Sequence, residues 1–382
     1  MRKQLYAYAW DFADEGVDAV LDRVKSLGMD GVAIAVSYHA GKFILPHNPK
    51  RKVYFPEDGT VYFAPHMDRY GRVKPEPASV VRSSDVLAAV ADGCRQRGLA
   101  LTAWTVFMHN TRLGTKHPEL TITNAYGDRL PYTLCPAQSD ASDYTLGLVD
   151  DLTDNYDLDT IFLEALGFLG FAHGFHHEFF GIRLSACRQA LLNICFCDAC
   201  KARAAQAGID AERAADMVRA HVAPAFEADM ELDDCTAEEL AAERPELGAY
   251  LRMRCEIVLE TLAKVKEIAD RRGVKVDYFG PSPCSRALTE GTNISRAAAL
   301  VDHYVIPVTS PNVAQARSDI GCVKSSVAAE KILLSINLTI DNAPTRQNFA
   351  DKMRLIAEHN LAGCNIYNYS MAPLSRLDWL KG

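Results

Sequence analysis

The residue types with the most chemistry crowd into residues 158–200. The apolar run Thr160, Ile161, Phe162, Leu163 delivers one carboxylate, Glu164, at its end. AHGFHHEFF then supplies His173, His176, His177 and Glu178, and ICFCDAC sets Cys195, Cys197 and Cys200 in a Cys-x-Cys-x2-Cys array. A charged residue in company as apolar as that of Glu164 rarely lacks a task. Apolar surroundings raise a carboxyl pKa and keep a proton available to a leaving oxygen; the competing role is a carboxylate paired with Arg or Lys to hold a loop. The imidazole group can bind a divalent cation, contact a substrate, or be a satisfied surface cluster. It lacks the helical His-Glu-x-x-His spacing, and Gly174 argues for a loop. Three thiols need a fourth ligand to close a tetrahedral zinc site; Cys135 and Cys187 are the candidates, and a trio of small core residues at a helix start is the plainer alternative.

Such groups need a scaffold to bring them together, and the chain alternates short β-type runs with longer helical patterns, as βα units with a parallel sheet do. Strand-like runs fall at residues 4–10, 31–38, 99–107, 160–164, 275–281, 301–310, 331–342 and 363–371. Each is followed by apolar residues at helical spacing, such as Val17, Val20, Leu21, Val24 and Leu27 after the first. Eight such units count out an α/β fold of the (β/α)8 TIM-barrel type, one domain over residues 1–382. A doubly wound open sheet is the alternative, but no Gly-rich phosphate loop follows the first strand. The long connection after strand two, residues 39–81, reads as a rim over the mouth with a hairpin turning at Glu57-Asp58-Gly59. The helix after it reads as capped by Ser84, and residues 165–247 read as a helical insertion after strand four.

In this architecture the active site lies at the C-terminal ends of the strands. The polar and aromatic residues there are Trp10 and Asp11, Tyr38 and His39, Trp104, His109 and Asn110, Glu164, Asn337 and Asp341, and Tyr367, Asn368 and Tyr369, with His47 on the rim. Rings that stack on pyranosides, with amides and imidazoles that bind hydroxyls, suit a sugar. Cleaving a glycoside also calls for a second carboxylate about 5 Å from the first for retention, or further for inversion. Asp341, beyond strand seven, and Asp11 are the candidates.

A strand ending in Glu followed by Cys-[Tyr/Phe]-Cys-x2-Cys resembles the barrel domain of the family forty-two glycoside hydrolases, the β-galactosidases, over residues 100–205. The resemblance implies Glu164 as acid/base and a structural zinc on Cys135, Cys195, Cys197 and Cys200. This chain departs from the family in having Leu163 where the family has Asn before its Glu, and no Glu at the end of strand seven. A distant relative among the barrel glycosidases is therefore expected: a glycoside hydrolase on a small or terminal glycoside, with His173, His176 and His177 closing the pocket. A metal-dependent sugar isomerase or epimerase built on the histidine loop, or a non-catalytic sugar-binding barrel, would fit the same residues less fully.

Composition narrows the partners. With 41 basic and 49 acidic residues the 382-residue chain carries a net charge of −8, which argues against a general nucleic-acid or anionic-membrane binder. Acids follow the first few apolar residues, so no signal-peptide core is expected, and the eleven cysteines are scattered. Reduced thiols in a cytoplasmic protein, no organic cofactor and a possible homo-oligomer are the corresponding expectations.

Overall fold

The computed structural model describes residues 1–171, 179, 181–228, 231–232 and 235–381. Eight parallel strands close on themselves: β1 (Arg2–Tyr8), β2 (Gly31–Tyr38), β3 (Ala100–Val106), β4 (Thr160–Glu164), β5 (Lys275–Phe279), β6 (His303–Val308), β7 (Ile332–Asn337) and β8 (Gly363–Tyr367). Each pairs with its neighbour in sequence, and β1 pairs with both β2 and β8, so the sheet becomes a barrel without free edges. This is the (β/α)8 TIM barrel that the βα rhythm predicts. β2 is buried at every position, as a strand covered on both faces must be.

The covering helices follow the periodic stretches, with local differences at their ends. β1 stops at Tyr8, not Trp10, because the Asp11 carboxylate turns back to accept the Tyr8 N–H at 2.8 Å and starts the helix Ala9–Glu15. The helix Val86–Arg97 is capped by Asp85, whose carboxylate accepts the Ala88 N–H at 3.0 Å, and not by Ser84. In the strand-two rim the hairpin pairs Phe43–Ile44 with Val53–Tyr54. Thr60–Val61 instead runs antiparallel to the end of β2, so Glu57-Asp58-Gly59 is not a hairpin turn.

Between β4 and the long helix Pro245–Arg271 lie the short helices Ala186–Leu192, Asp198–Gln206, Ala211–Val222, Pro224–Glu227 and Ala237–Glu243. They bury a second apolar core, including Leu191, Ile194, Phe196, Ala214, Val218 and Leu240, against Tyr250, Leu251 and Val258 of the long helix. Cys284 and Cys322 pair as a disulfide, so the expectation of wholly reduced thiols is not met. Among the described residues no helix is long and apolar enough to cross a membrane.

At the N-terminal end of the barrel, Asp277 is fully buried. It is matched by Arg2, 2.8 Å away, and by His303, also at 2.8 Å, while Arg2 also donates to Gln4. A carboxylate so placed needs such partners to offset its lost hydration. The closing seam nearby depends on Gly363, where a Cβ would lie 1.9 Å from the Arg2 carbonyl oxygen. Gly363→Ala is expected to cost about 2–4 kcal/mol in urea unfolding, because neither strand can retreat without breaking the ladder.

Candidate functional site

Glu164 is the last residue of β4, and the strand's alternation carries its side chain onto the barrel axis beside Trp104 of β3, whose indole Nε1–H donates to Glu164 Oε2. Tyr6, Tyr38 and Tyr367 surround it closely enough to feel its charge. Burial pushes the Glu164 carboxyl up to about 7, with the Trp104 hydrogen bond pulling the other way. A carboxyl tuned so is half protonated near neutrality, as a general acid needs to be.

One side of Glu164 is open. A cavity of about 330 Å³ runs from Glu164 over the ends of β5 and β6, walled by Phe168, Phe279, Arg286 and Glu290. Glu290 is a second carboxyl in this cavity. It is ion-paired with Arg286, and its backbone carbonyl accepts the Phe168 N–H at 3.1 Å, tying the β5 loop to the β4 loop. Burial raises the Glu290 carboxyl, against the pull of the Arg286 and Arg254 cations. Arg254 is fully buried on the long helix, with its guanidinium 3.9 Å from the centre of the Phe168 ring. Sequence reasoning missed Glu290 and Arg286, because they lie in a loop after β5 with no periodicity or motif to mark them.

The other side of the mouth is filled. Tyr8 stacks on Trp10 at 4.1 Å, and its hydroxyl meets those of Tyr38 at 3.1 Å and Tyr367 at 2.8 Å. Trp10 is 0% exposed and Trp104 2%, which leaves neither ring a face for a sugar in this conformation. His39 stacks between Tyr38 at 4.3 Å and His109 at 4.1 Å. His47 is turned toward the outside of β1, with Glu15 Oε1 at 3.2 Å and the Tyr369 carbonyl at 2.8 Å, where it fastens the rim. Asn337 and Asn368 cap turns through Thr339 N and Met371 N. Of the two acids expected to assist Glu164, Asp11 is buried and taken up by Tyr8 N and the Ser370 hydroxyl. Asp341 is exposed in the loop after β7. Neither lines the cavity. His173, His176, His177 and Glu178 lie outside the described residues.

Away from this cavity, Cys135, Cys195, Cys197 and Cys200 converge, all buried, with their sulfurs within 4.8 Å of one another. Cys135 Sγ is 3.5 Å from Cys200 Sγ and 3.7 Å from Cys197 Sγ, close to the roughly 3.8 Å edge of a sulfur tetrahedron about an ion with bonds of about 2.3 Å. Thr123 N, at 3.4 Å, and Cys197 N, at 3.5 Å, donate to Cys195 Sγ, and Gln138 Nε2 donates to Cys197 Sγ at 3.5 Å. Four buried sulfurs at tetrahedral spacing, with donors aimed at two of them, make this cluster able to hold a metal ion. Cys187, the other residue considered as fourth ligand, is not part of it.

The unmet cost of burying Glu164 gives a test. Between its ordinary value of 4.5 and about 7 the folded carboxyl holds a proton that the unfolded one has released, so its contribution to stability falls as pH rises through that window. Glu164→Gln is therefore expected to unfold like the parent at pH 4.5 and to gain about 1–3 kcal/mol at pH 8 in urea titrations. Equal stabilities at both pH values would show that the carboxyl is not desolvated.

No protein-family model matches the chain, and no curated protein sequence matches it. Solved structures do share its fold. The glycoside hydrolase domain of PgaB (BpsB) from Bordetella bronchiseptica superposes with a TM-score of 0.62 at 13% identity, covering 97% of this chain and 95% of that one. The α-L-fucosidase isoenzyme 2 from Paenibacillus thiaminolyticus gives 0.55 at 11% identity over 100% of this chain and 48% of its own. The β-galactosidase from the psychrophilic Marinomonas ef1 gives 0.50 at 10% identity, over 97% and 54%. The chain thus spans about half the length of the latter two, and what it shares with all three is the barrel.

Proposed function

We propose that this protein is a glycoside hydrolase in which Glu164 protonates the leaving glycosidic oxygen. The observation that carries the reading is a half-buried carboxyl at the C-terminal end of β4, raised to about 7 and opening on a cavity. The barrel neighbours named as a glycoside hydrolase domain, a fucosidase and a galactosidase support it.

Glu290 takes the place first given to Asp341 or Asp11 as the second carboxylate, because it is the other acid on the cavity wall. Arg286 and Arg254 offset part of its desolvation and would keep a negative charge available to an oxocarbenium-like centre. The apolar faces of Phe168 and Phe279 offer a stacking surface to one sugar ring. A cavity of about 330 Å³ is at the small end of ligand sites, roughly 300–1,000 Å³, and suits a terminal sugar better than a run of polymer. The four-cysteine cluster would hold a structural zinc, as the resemblance to the family forty-two barrel implies, pinning the loop before β4's covering helix without entering the chemistry.

Two measurements check these assignments. On a panel of aryl glycosides the wild type should release aglycone from at least one, with kcat falling as pH rises through about 7, where Glu164 loses its proton. Glu164→Gln should lower kcat on natural oligosaccharides by about 10²–10⁴-fold, and Glu290→Gln by a similar factor. Full activity of either variant removes that residue from its role. Separately, Cys197→Ser should lose one equivalent of zinc and about 3–5 kcal/mol of stability, as loss of a native cross-link does. Unchanged zinc content would sink the structural-metal assignment.

A further inference from the structure

One group of thiols and an imidazole converges outside the four-cysteine cluster. Cys187, His221 and Cys235 bring one ligand atom each to within 4.8 Å of the others. They come from three parts of the insertion: the first turn of Ala186–Leu192, the last turn of Ala211–Val222, and the residue before Thr236, which caps Ala237–Glu243. Nothing in sequence spacing links them, since 34 positions separate the first two and 14 the last two (221 − 187 and 235 − 221).

The surrounding structure holds each ligand in place. Arg188, next to Cys187 and itself buried, donates from Nε to the His221 carbonyl at 3.2 Å and from a terminal nitrogen to the Leu232 carbonyl at 3.4 Å. It thereby fixes both the helix end that carries His221 and the backbone at Leu232. Immediately after Cys235, the Thr236 hydroxyl accepts the Glu239 N–H while the Glu239 carboxylate accepts the Thr236 N–H at 2.7 Å, a reciprocal cap that anchors the chain there. Cys187, Cys235 and Glu238 also line one cavity, and Glu238 Oε2 is buried in it without a hydrogen bond.

We propose that Cys187, His221 and Cys235 form a second metal site, separate from the four-cysteine cluster, that takes zinc, with water or the Glu238 carboxylate in the fourth position. Two thiolates and a neutral imidazole match a borderline-soft divalent ion and cancel its charge, which a half-buried setting favours. With bonds of about 2.3 Å to sulfur and about 2.0–2.1 Å to nitrogen, ligand atoms within 4.8 Å of one another need to draw together by at most about 1 Å, within the reach of side-chain rotation. The ion would link the ends of Ala186–Leu192 and Ala211–Val222 to the start of Ala237–Glu243. Ala237–Glu243 in turn packs on the turn Cys284–Arg286, which delivers Arg286 to the cavity beside Glu164. The site stands or falls independently of the glycosidase reading.

Full-length protein, reconstituted with excess zinc and desalted, should hold two equivalents by elemental analysis, and Cys187→Ser/Cys235→Ser should hold one. In the cobalt-substituted protein the sulfur-to-metal charge-transfer absorption should fall by about a third in that variant, as six Cys–metal bonds become four. His221→Gln, which keeps both thiols, should release its second zinc to a chelator at least 10-fold more readily than wild type. One equivalent in the wild type, two in the double variant, or recovery of Cys187 and Cys235 as a disulfide from non-reducing peptide mapping would each overturn the proposal.

Discussion

Closure of the sheet is the constraint on which the remaining features depend. Because β1 must pair with β2 on one side and β8 on the other, the barrel interior is filled by side chains. At the N-terminal end the seal buries Asp277 and forces Arg2, Gln4 and His303 to gather around it. At the C-terminal end the same seal is made of rings: Tyr8, Tyr38 and Trp104 at the ends of β1, β2 and β3 pack edge to face with one another and with Trp10 and Phe43 of the segments that follow. The open ground is left over β4, β5 and β6.

That asymmetry gives Glu164 its properties. Its charged form is disfavoured by the ring cluster on one side, while the cavity on the other gives a ligand access to it. Trp104, itself buried, donates a hydrogen bond that orients the carboxyl and limits how far its pKa can climb. A carboxyl in such a place weakens the fold at neutral pH, the usual relation between a tuned group and the stability of the structure that tunes it.

The segment between β4 and the long helix Pro245–Arg271 solves a different physical problem. Its helices are short, between four and twelve residues, and helices of that size are not stable without tertiary partners. They gain those partners from the long helix Pro245–Arg271 and from the buried thiols, where Tyr250 donates to the Cys195 carbonyl at 2.7 Å and stacks on Phe196 at 4.7 Å. Cysteine is small enough to pack there in any case, so its burial alone says little; the convergence of four sulfurs says more.

Local pattern determined the elements. The eight strand runs and the helices between them were legible because burial on two faces demands continuous apolar runs, and burial on one face of a helix demands a 3.6-residue period. Glu164 was legible for the same reason, as a charge at the end of such a run. Element ends were not, since Asp11 and Asp85 act through caps that compete with neighbouring residues of similar propensity. What only the tertiary structure decided was which loop residues meet. Glu290 and Arg286 join Glu164 through the β5 loop, Asp11 turns back to its own helix start, and Cys187 parts from the nearby thiols to meet His221 and Cys235. Loop conformation is set by contacts distant in sequence, and no local periodicity records it.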